Sequence, residues 1–272
     1  MSNGTRRRLL GWMAGSAAAA GLPLAACSTE PLSRLPGSAF GTPGELLLWG
    51  PAEDAAARQA QRVWDALAAF DADWLAAPAR VAGRLAASAP PAAAAGSHGD
   101  SDIAWRGLGL ETAAAQLELP DPGGALLTVG QHLLALGERG YRPWHVGIPD
   151  PAGQRPLLGL DLYAGERLVT VADYARYRKP GQTSADLAPD PGAGACASCS
   201  VVMRGAPAVS VARAASLLHA SPAPAWPDLA RALGAEAVLW IGRDGALEAT
   251  AVFAGRALLG DQRRHLKVRA GS

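Results

Sequence analysis

Residues able to do chemistry are sparse in this chain. Cys196-Ala197-Ser198-Cys199 is its one close cysteine pair. In an oxidising compartment that spacing suits a disulfide, a redox pair or half of a metal site, with two inert thiols as the plain alternative. Ser200 stands where c-type haem attachment needs a histidine, and no second pair completes a zinc site. Thioredoxin-type chemistry wants the first cysteine at a helix N-terminus, whereas this pair leads into a strand pattern. The histidines (His98, His132, His145, His219, His265) show no ligand spacing. Gly107-Leu108-Gly109 lacks the third glycine of a dinucleotide fingerprint, and there is no phosphate loop and no Gly-x-Ser-x-Gly elbow. Asp100 and Asp102 sit in polar surroundings, where a carboxylate pair is solvated.

Periodicity predicts the elements that must position these groups. Over 53–74, Ala56, Ala60, Val63, Leu67, Phe70 and Trp74 recur at helical spacing, with Arg58, Gln61, Arg62 and Asp65 on the polar side. An aromatic stripe of that kind is core. Residues 76–100 are rich in Ala, Pro, Gly and Ser and read as a low-complexity bridge. Strands are expected at 45–49, 144–148, 157–163, 167–171 and 199–203, with 157–163 and 167–171 joined as a hairpin about Ala164-Gly165. Helices follow at 208–219 and 227–233, the second ending at Gly234. Strands 236–241 and 246–253 close a hairpin through Arg243-Asp244-Gly245, since Asp-Gly supplies positive φ cheaply. The expected class is α+β, with mostly antiparallel sheets and packed helices.

The first thirty residues carry the clearest signal. Arg6-Arg7-Arg8 precedes an apolar run that ends at Leu24-Ala25-Ala26-Cys27. Basic head, apolar stretch and small residues before a cysteine, in that order, make 1–26 an export signal; the arginines resemble a twin-arginine signal and the last four residues a lipobox. Cys27 is then the lipidated first residue of the mature chain, 27–43 a Ser/Pro/Gly-rich tether, 44–260 the folded domain and 261–272 a C-terminal tail. The expected location is the periplasmic side of the cell envelope, anchored to a membrane. Of 25 Lys+Arg and 24 Asp+Glu, three arginines and no acids lie in 1–26, so a net charge of +1 becomes −2 on cleavage. A slightly acidic domain gives no reason to expect a nucleic-acid partner.

Read onward from Phe40, the order of segments resembles the ApbE family, the exported FAD:protein FMN transferases. Phe40-Gly41-Thr42, a strand and the 53–74 helix resemble the family's opening. Trp144-His145-Val146-Gly147-Ile148-Pro149-Asp150-Pro151 is similar to its Trp-x-Val-Gly-Ile-x-Asp-Pro run. Leu168-Val169-Thr170-Val171-Ala172-Asp173-Tyr174-Ala175-Arg176-Tyr177 resembles Ala-Thr-Ser-Gly-Asp-Tyr-Glu-Arg-Tyr. Asp190-Pro191-Gly192-Ala193-Gly194 resembles Asp-Pro-Arg-Thr-Gly, and Ser200-Val201-Val202-Met203 the strand after it. The resemblance implies an ApbE/T-fold-like domain that moves FMN from FAD, with Mg²⁺ beside the pyrophosphate, onto a Thr or Ser hydroxyl of an exported or membrane flavoprotein, releasing AMP. It implies that Thr170, Asp173 and Tyr174 line the flavin pocket, and that Ser216 is a metal-side hydroxyl.

The same comparison shows departures. Where the family has Leu-Asp-Leu-Gly-Gly-Ile-Ala-Lys-Gly, this chain has Ile103-Ala104-Trp105-Arg106-Gly107-Leu108-Gly109-Leu110-Glu111. Gly-Gly-Asp becomes Gly130-Gln131-His132, Leu187 stands near the family's His, and the metal-binding Asp becomes Ala212. The pocket-building segments expected between Leu75 and Ser101 are missing. His132 and Asp150 are the substitute polar groups to examine. A hard Mg²⁺ ion loses affinity when a charged oxygen ligand is removed. The alternative expectation is therefore a non-catalytic accessory or flavin-binding lipoprotein in membrane redox assembly.

Overall fold

The apolar stripe read at 53–74 forms helix α1, Glu53–Ala76, whose buried face is Ala56, Gln59, Ala60, Val63, Leu67 and Phe70. Glu53 and Asp54 in its first turn complement the helix dipole, and Pro78 follows its end, a residue that disfavours a helical conformation before it. The computed structural model describes residues 32–77, 83, 85, 98–151, 156–172, 195–258 and 266–269, all within one compact unit. The export segment 1–26, Cys27, Asp173, Tyr174 and most of the 76–100 bridge lie outside the described residues. Among the described residues no helix is long and apolar enough to cross a membrane.

The fold is α+β and mostly antiparallel. Strands β1 (Leu32–Ala39), β2 (Thr42–Trp49), β3 (Gly124–Val129), β4 (His132–Gly137), β7 (Glu166–Ala172), β8 (Cys196–Arg204), β9 (Ala237–Gly242), β10 (Leu247–Thr250) and β12 (Leu266–Arg269) form one sheet in the order β1-β2-β3-β4-β7-β8-β9-β10-β12. Strands β5 (Trp144–Pro149), β6 (Pro156–Leu162) and β11 (Ala257–Leu258) form a second, ordered β11-β6-β5. Helices α2 (His98–Ala114), α3 (Ala208–Ala220), α4 (Trp226–Ala232) and α5 (Ala251–Arg256) complete it. Only the β10–β12 pairing is parallel among the described ladders.

Strand alternation sorts the core. Leu168, Val202, Leu239 and Ile241 face the small sheet and meet Trp144, Val146, Ile148, Leu158, Leu160 and Leu162. The alternate residues Val169, Cys199, Val201, Val238 and Trp240 face α3 and α4. Towards the β1 edge of that same helix-covered face, α1 and α2 cover Leu46, Leu48, Ala125 and Leu127. Each fully buried Leu or Val contributes roughly 1.5–3 kcal/mol of transfer free energy.

Several expectations change. The stretch read as a tether at 27–43 contains β1, which pairs with β2 from Leu32↔Trp49 to Ala39↔Thr42. Pro36 is tolerated because β1 is the sheet's edge. The 261–272 tail contains β12, held by Arg269, whose Nε and Nη2 donate to the two oxygens of Glu248 at 2.9 and 2.5 Å. Strands 157–163 and 167–171 do not pair as a hairpin: the Ala164-Gly165 turn passes the chain from the small sheet to the large one. The stretch 251–253 is helical, because the Thr250 hydroxyl accepts from the Phe253 N–H and caps α5. Strands β3 and β4 and helix α2 were not expected, since β3 is covered almost continuously and shows no alternation.

Candidate functional site

Thr170 is 3% exposed on β7. Its hydroxyl meets that of Ser200 at 2.9 Å across the β7–β8 ladder, and its N–H donates to the carbonyl of Gln131 at 3.1 Å. Ser198, two residues along from Ser200, is also buried, and its Oγ has no hydrogen-bond partner. Thr170 pairs with Ser200 and alternates with Val169 and Val171, so it faces the small sheet. The other two pocket candidates, Asp173 and Tyr174, fall outside the described residues.

Ser216 lies on α3. Val209, Ala212 and Ser216 are spaced by three and four, one stripe of the helix. Val209 and Ala212 pack with Phe70, Leu85, Ala104 and Trp105, with Ala212 only 1% exposed. That stripe therefore faces α1 and α2, away from Thr170; the fold does not bring Thr170 and Ser216 together. The Ser216 Oγ is buried with no hydrogen-bond partner.

The space beside Ala212 is filled by aromatic rings. Trp105, fully buried, stacks on Phe70 with centroids 3.8 Å apart and on Trp74 at 5.2 Å. Phe40 meets Phe70 edge-on at 6.4 Å. Gly109 makes room, because a Cβ there would sit 2.5 Å from the Phe40 ring. Periodicity placed Phe70 and Trp74 on one helical stripe, but nothing in the sequence linked them to Trp105.

His132 is 3% exposed on β4. Burial, reinforced by the Arg106 charge, holds its pKa down at about 3, so the imidazole is neutral. With Gly107, Leu110, Leu134, Arg167 and Ala208 it borders a cavity of about 10 Å³, room for about one water. Asp150 is not among the residues around that cavity and follows β5 in the small sheet. Sequence reading also missed Glu111. Its Oε1 accepts from Arg167 Nη2 at 2.6 Å, its Oε2 from the Ala208 N–H at 3.4 Å, and Arg167 Nη1 reaches the Ala206 carbonyl at 2.6 Å. That carboxylate ties α2 to β7 and caps α3, across 56 and 97 residues of sequence that carry no local signal.

Cys196 and Cys199 are both buried and are not joined in a disulfide. A bulge in β8 shifts the register, so that Cys196 opposes Gly242, Ser198 opposes Ile241 and Cys199 opposes Trp240. The extra residue turns both cysteines to the face covered by α3 and α4, where they pack with Val238, Trp226 and Trp240. Burial, then the neighbouring Cys196, pushes the Cys199 thiol well above its ordinary range. A neutral thiol in apolar surroundings is a poor nucleophile and a poor metal ligand.

No family model matches the chain. Over 153 residues it is 33% identical to an FAD:protein FMN transferase of Rhodobacter capsulatus, a match spanning 53% of this chain and 28% of that relative. An ApbE protein from Thermotoga maritima superposes with a TM-score of 0.54 at 12% identity, covering 82% of this chain and 98% of that one. The apo flavinyl transferase ApbE of Pseudomonas stutzeri gives 0.53 at 13%, covering 85% and 98%, and the flavin transferase ApbE of Vibrio cholerae 0.52 at 12%, covering 84% and 99%. The structures share the fold, and the curated relative shares sequence as well.

The chain has the fold of the ApbE proteins.

Within this ApbE-like fold, Mg²⁺ does not fit the side chains of the α3 stripe. A hard cation of this kind takes oxygen ligands, usually including a carboxylate. Here the stripe offers the methyl group of Ala212, in a cluster with Phe70 and Trp105, and a single neutral hydroxyl, the buried Ser216 Oγ. Among the described residues no group of three His, Cys, Asp or Glu side chains is placed to hold a metal ion. The Thr170 hydroxyl is engaged with Ser200 inside the core.

Proposed function

We propose that this chain serves protein flavinylation at the cell envelope as an exported, lipid-anchored ApbE-family domain that does not itself carry out metal-dependent FMN transfer. Its role is that of a non-catalytic partner in the maturation of an exported or membrane flavoprotein. The observation that carries this reading is Ala212, 1% exposed in an apolar cluster where the family resemblance expects a carboxylate. Burying a hydrated dication there without charged ligands is prohibitive.

The second reading is an active FAD:protein FMN transferase using Mg²⁺. It is favoured by the 33% identity over 153 residues to a protein of that name. One experiment separates the two. The form lacking residues 1–27 is incubated with FAD, Mg²⁺ and a target flavoprotein domain, and covalent flavin fluorescence is read on the target. Labelling above a metal-free control establishes the transferase. No labelling with saturable FAD binding makes the chain a flavin carrier, and no labelling without FAD binding leaves a protein–protein role.

A further inference from the structure

At the opposite end of β7 from Thr170, Glu166 is 1% exposed. Its Oε1 accepts from Arg204 Nη2 at 3.3 Å and from Arg256 Nη1 at 2.7 Å, and its Oε2 accepts from the Tyr163 N–H at 2.9 Å. The two guanidiniums arrive from the end of β8 and the end of α5, and both lie by the Tyr163 ring, 5.8 and 5.3 Å from its centroid. Around them opens a hollow of about 350 Å³ lined by Glu166, Val202, Arg204, Glu236, Ala237 and Arg256. A hollow of this size is within the range that takes small organic ligands.

One cation neutralises the buried carboxylate. The second is surplus to the fold, and a guanidinium has five N–H donors of which each arginine spends one on Glu166. Two guanidiniums approaching from different elements suit a tetrahedral oxyanion, because a planar carboxylate is satisfied by one fork alone. Glu236, exposed beside them, brings the formal charge of the hollow to zero. A bare phosphate would meet that carboxylate unfavourably, whereas an ammonium next to the phosphoryl group would pair with it.

We propose that this hollow binds a zwitterionic phosphoester: Arg204 and Arg256 grip the phosphoryl oxygens, and Glu236 takes an adjacent ammonium. A free phosphoethanolamine and a phospholipid headgroup carry the same chemistry. The full chain is titrated calorimetrically with O-phosphoethanolamine, inorganic phosphate and the short-chain lipid dihexanoyl phosphatidylethanolamine. O-Phosphoethanolamine is expected to bind more tightly than phosphate. Saturable binding of the lipid as well assigns the headgroup as the source, and binding of the monoester alone assigns a soluble ligand. Arg204→Gln should weaken binding about tenfold or more without lowering Tm, since its side chain is 61% exposed and Arg256 still neutralises Glu166. Glu236→Gln should erase the preference over phosphate. No saturable binding of any of the three probes, or unchanged affinity in Arg204→Gln, overturns the proposal.

Discussion

The indole of Trp105 stacks on the ring of Phe70 with centroids 3.8 Å apart and planes 27° from parallel. This contact joins α2 to α1 and shares its cluster with Ala212 of α3. Three helices therefore meet in an apolar plug at the position where the family resemblance expects a metal-binding acid.

Restoring the acid should not restore a metal site. Ala212→Asp buries a carboxylate among Phe70, Trp105 and Val209 and is expected to cost roughly 3 kcal/mol or more. Thermal melts with and without excess Mg²⁺ check this. A melting temperature raised by Mg²⁺ in the variant alone would show that the rest of a ligand cage survives and overturn this expectation, whereas a rise in the parent as well would sink the non-catalytic reading.

Trp105→Ala should destabilise the fold by about 3–5 kcal/mol, as expected for removing a fully buried large ring that has two stacked neighbours. Tyr141→Ala, at a side chain 83% exposed, serves as the control and should fall within about 0.5 kcal/mol of the parent. Urea unfolding of both variants gives the comparison.

His132 makes stability depend on pH below neutrality. Its pKa is about 3 when folded and returns towards 6.5 on unfolding, so between those values the unfolded chain binds a proton that the folded chain does not. Stability should therefore fall as pH drops below about 6.5, with a slope approaching about 1.4 kcal/mol per pH unit. His132→Asn should flatten that limb between pH 6.5 and 4.5. An unchanged slope would mean the imidazole is charged in the fold.

Glu248 acts at lower pH. Burial raises its pKa, but hydrogen bonds from Arg269 and Trp226, with the charges of Arg269 and Lys267, outweigh this and hold it below 4.5. A lowered carboxylate contributes stability above its unfolded pKa and loses it as pH falls through the folded value. Glu248→Gln should reduce stability at neutral pH and shrink the loss below pH 4.5. Acid titrations followed by circular dichroism test both.

Cys196 and Cys199 should be unreactive in the native state. Each is fully buried and the Cys199 thiol is held protonated, so alkylation at mildly alkaline pH should label them only after denaturation. Mass spectrometry of native and unfolded samples counts the labels. Rapid native labelling would place them at an accessible site.

Much of the framework was legible because it is local. The stripe from Ala56 to Trp74 specified α1, and alternation specified β5, in which Trp144, Val146 and Ile148 point inward. Asp244-Gly245 specified the β9–β10 turn, where Gly245 has a φ of 83° and the Asp244 carboxylate accepts from the Ala246 N–H at 3.0 Å. The missed elements were those whose evidence is not local: β3 is covered almost continuously, and β12 holds its place through Arg269 pairing with Glu248.

The sequence by itself determined that groups able to do chemistry are sparse here, that alanine stands at 212, where the family resemblance expects an acid, and that two cysteines lie three apart. Only the tertiary structure decided what those facts mean. Composition shows a missing charge but not what fills its place, and the stacking of Trp105 on Phe70 closes that space by packing two helices distant in sequence. Spacing could not tell a disulfide from two thiols, because one bulged residue in β8 decides which face each cysteine takes. The two arginines on Glu166 come from strands and helices 38 and 90 residues away, and their shared carboxylate exists only once the sheet has formed. Period and composition act within a few residues, whereas burial, charge pairing and cavity shape arise only when distant segments meet.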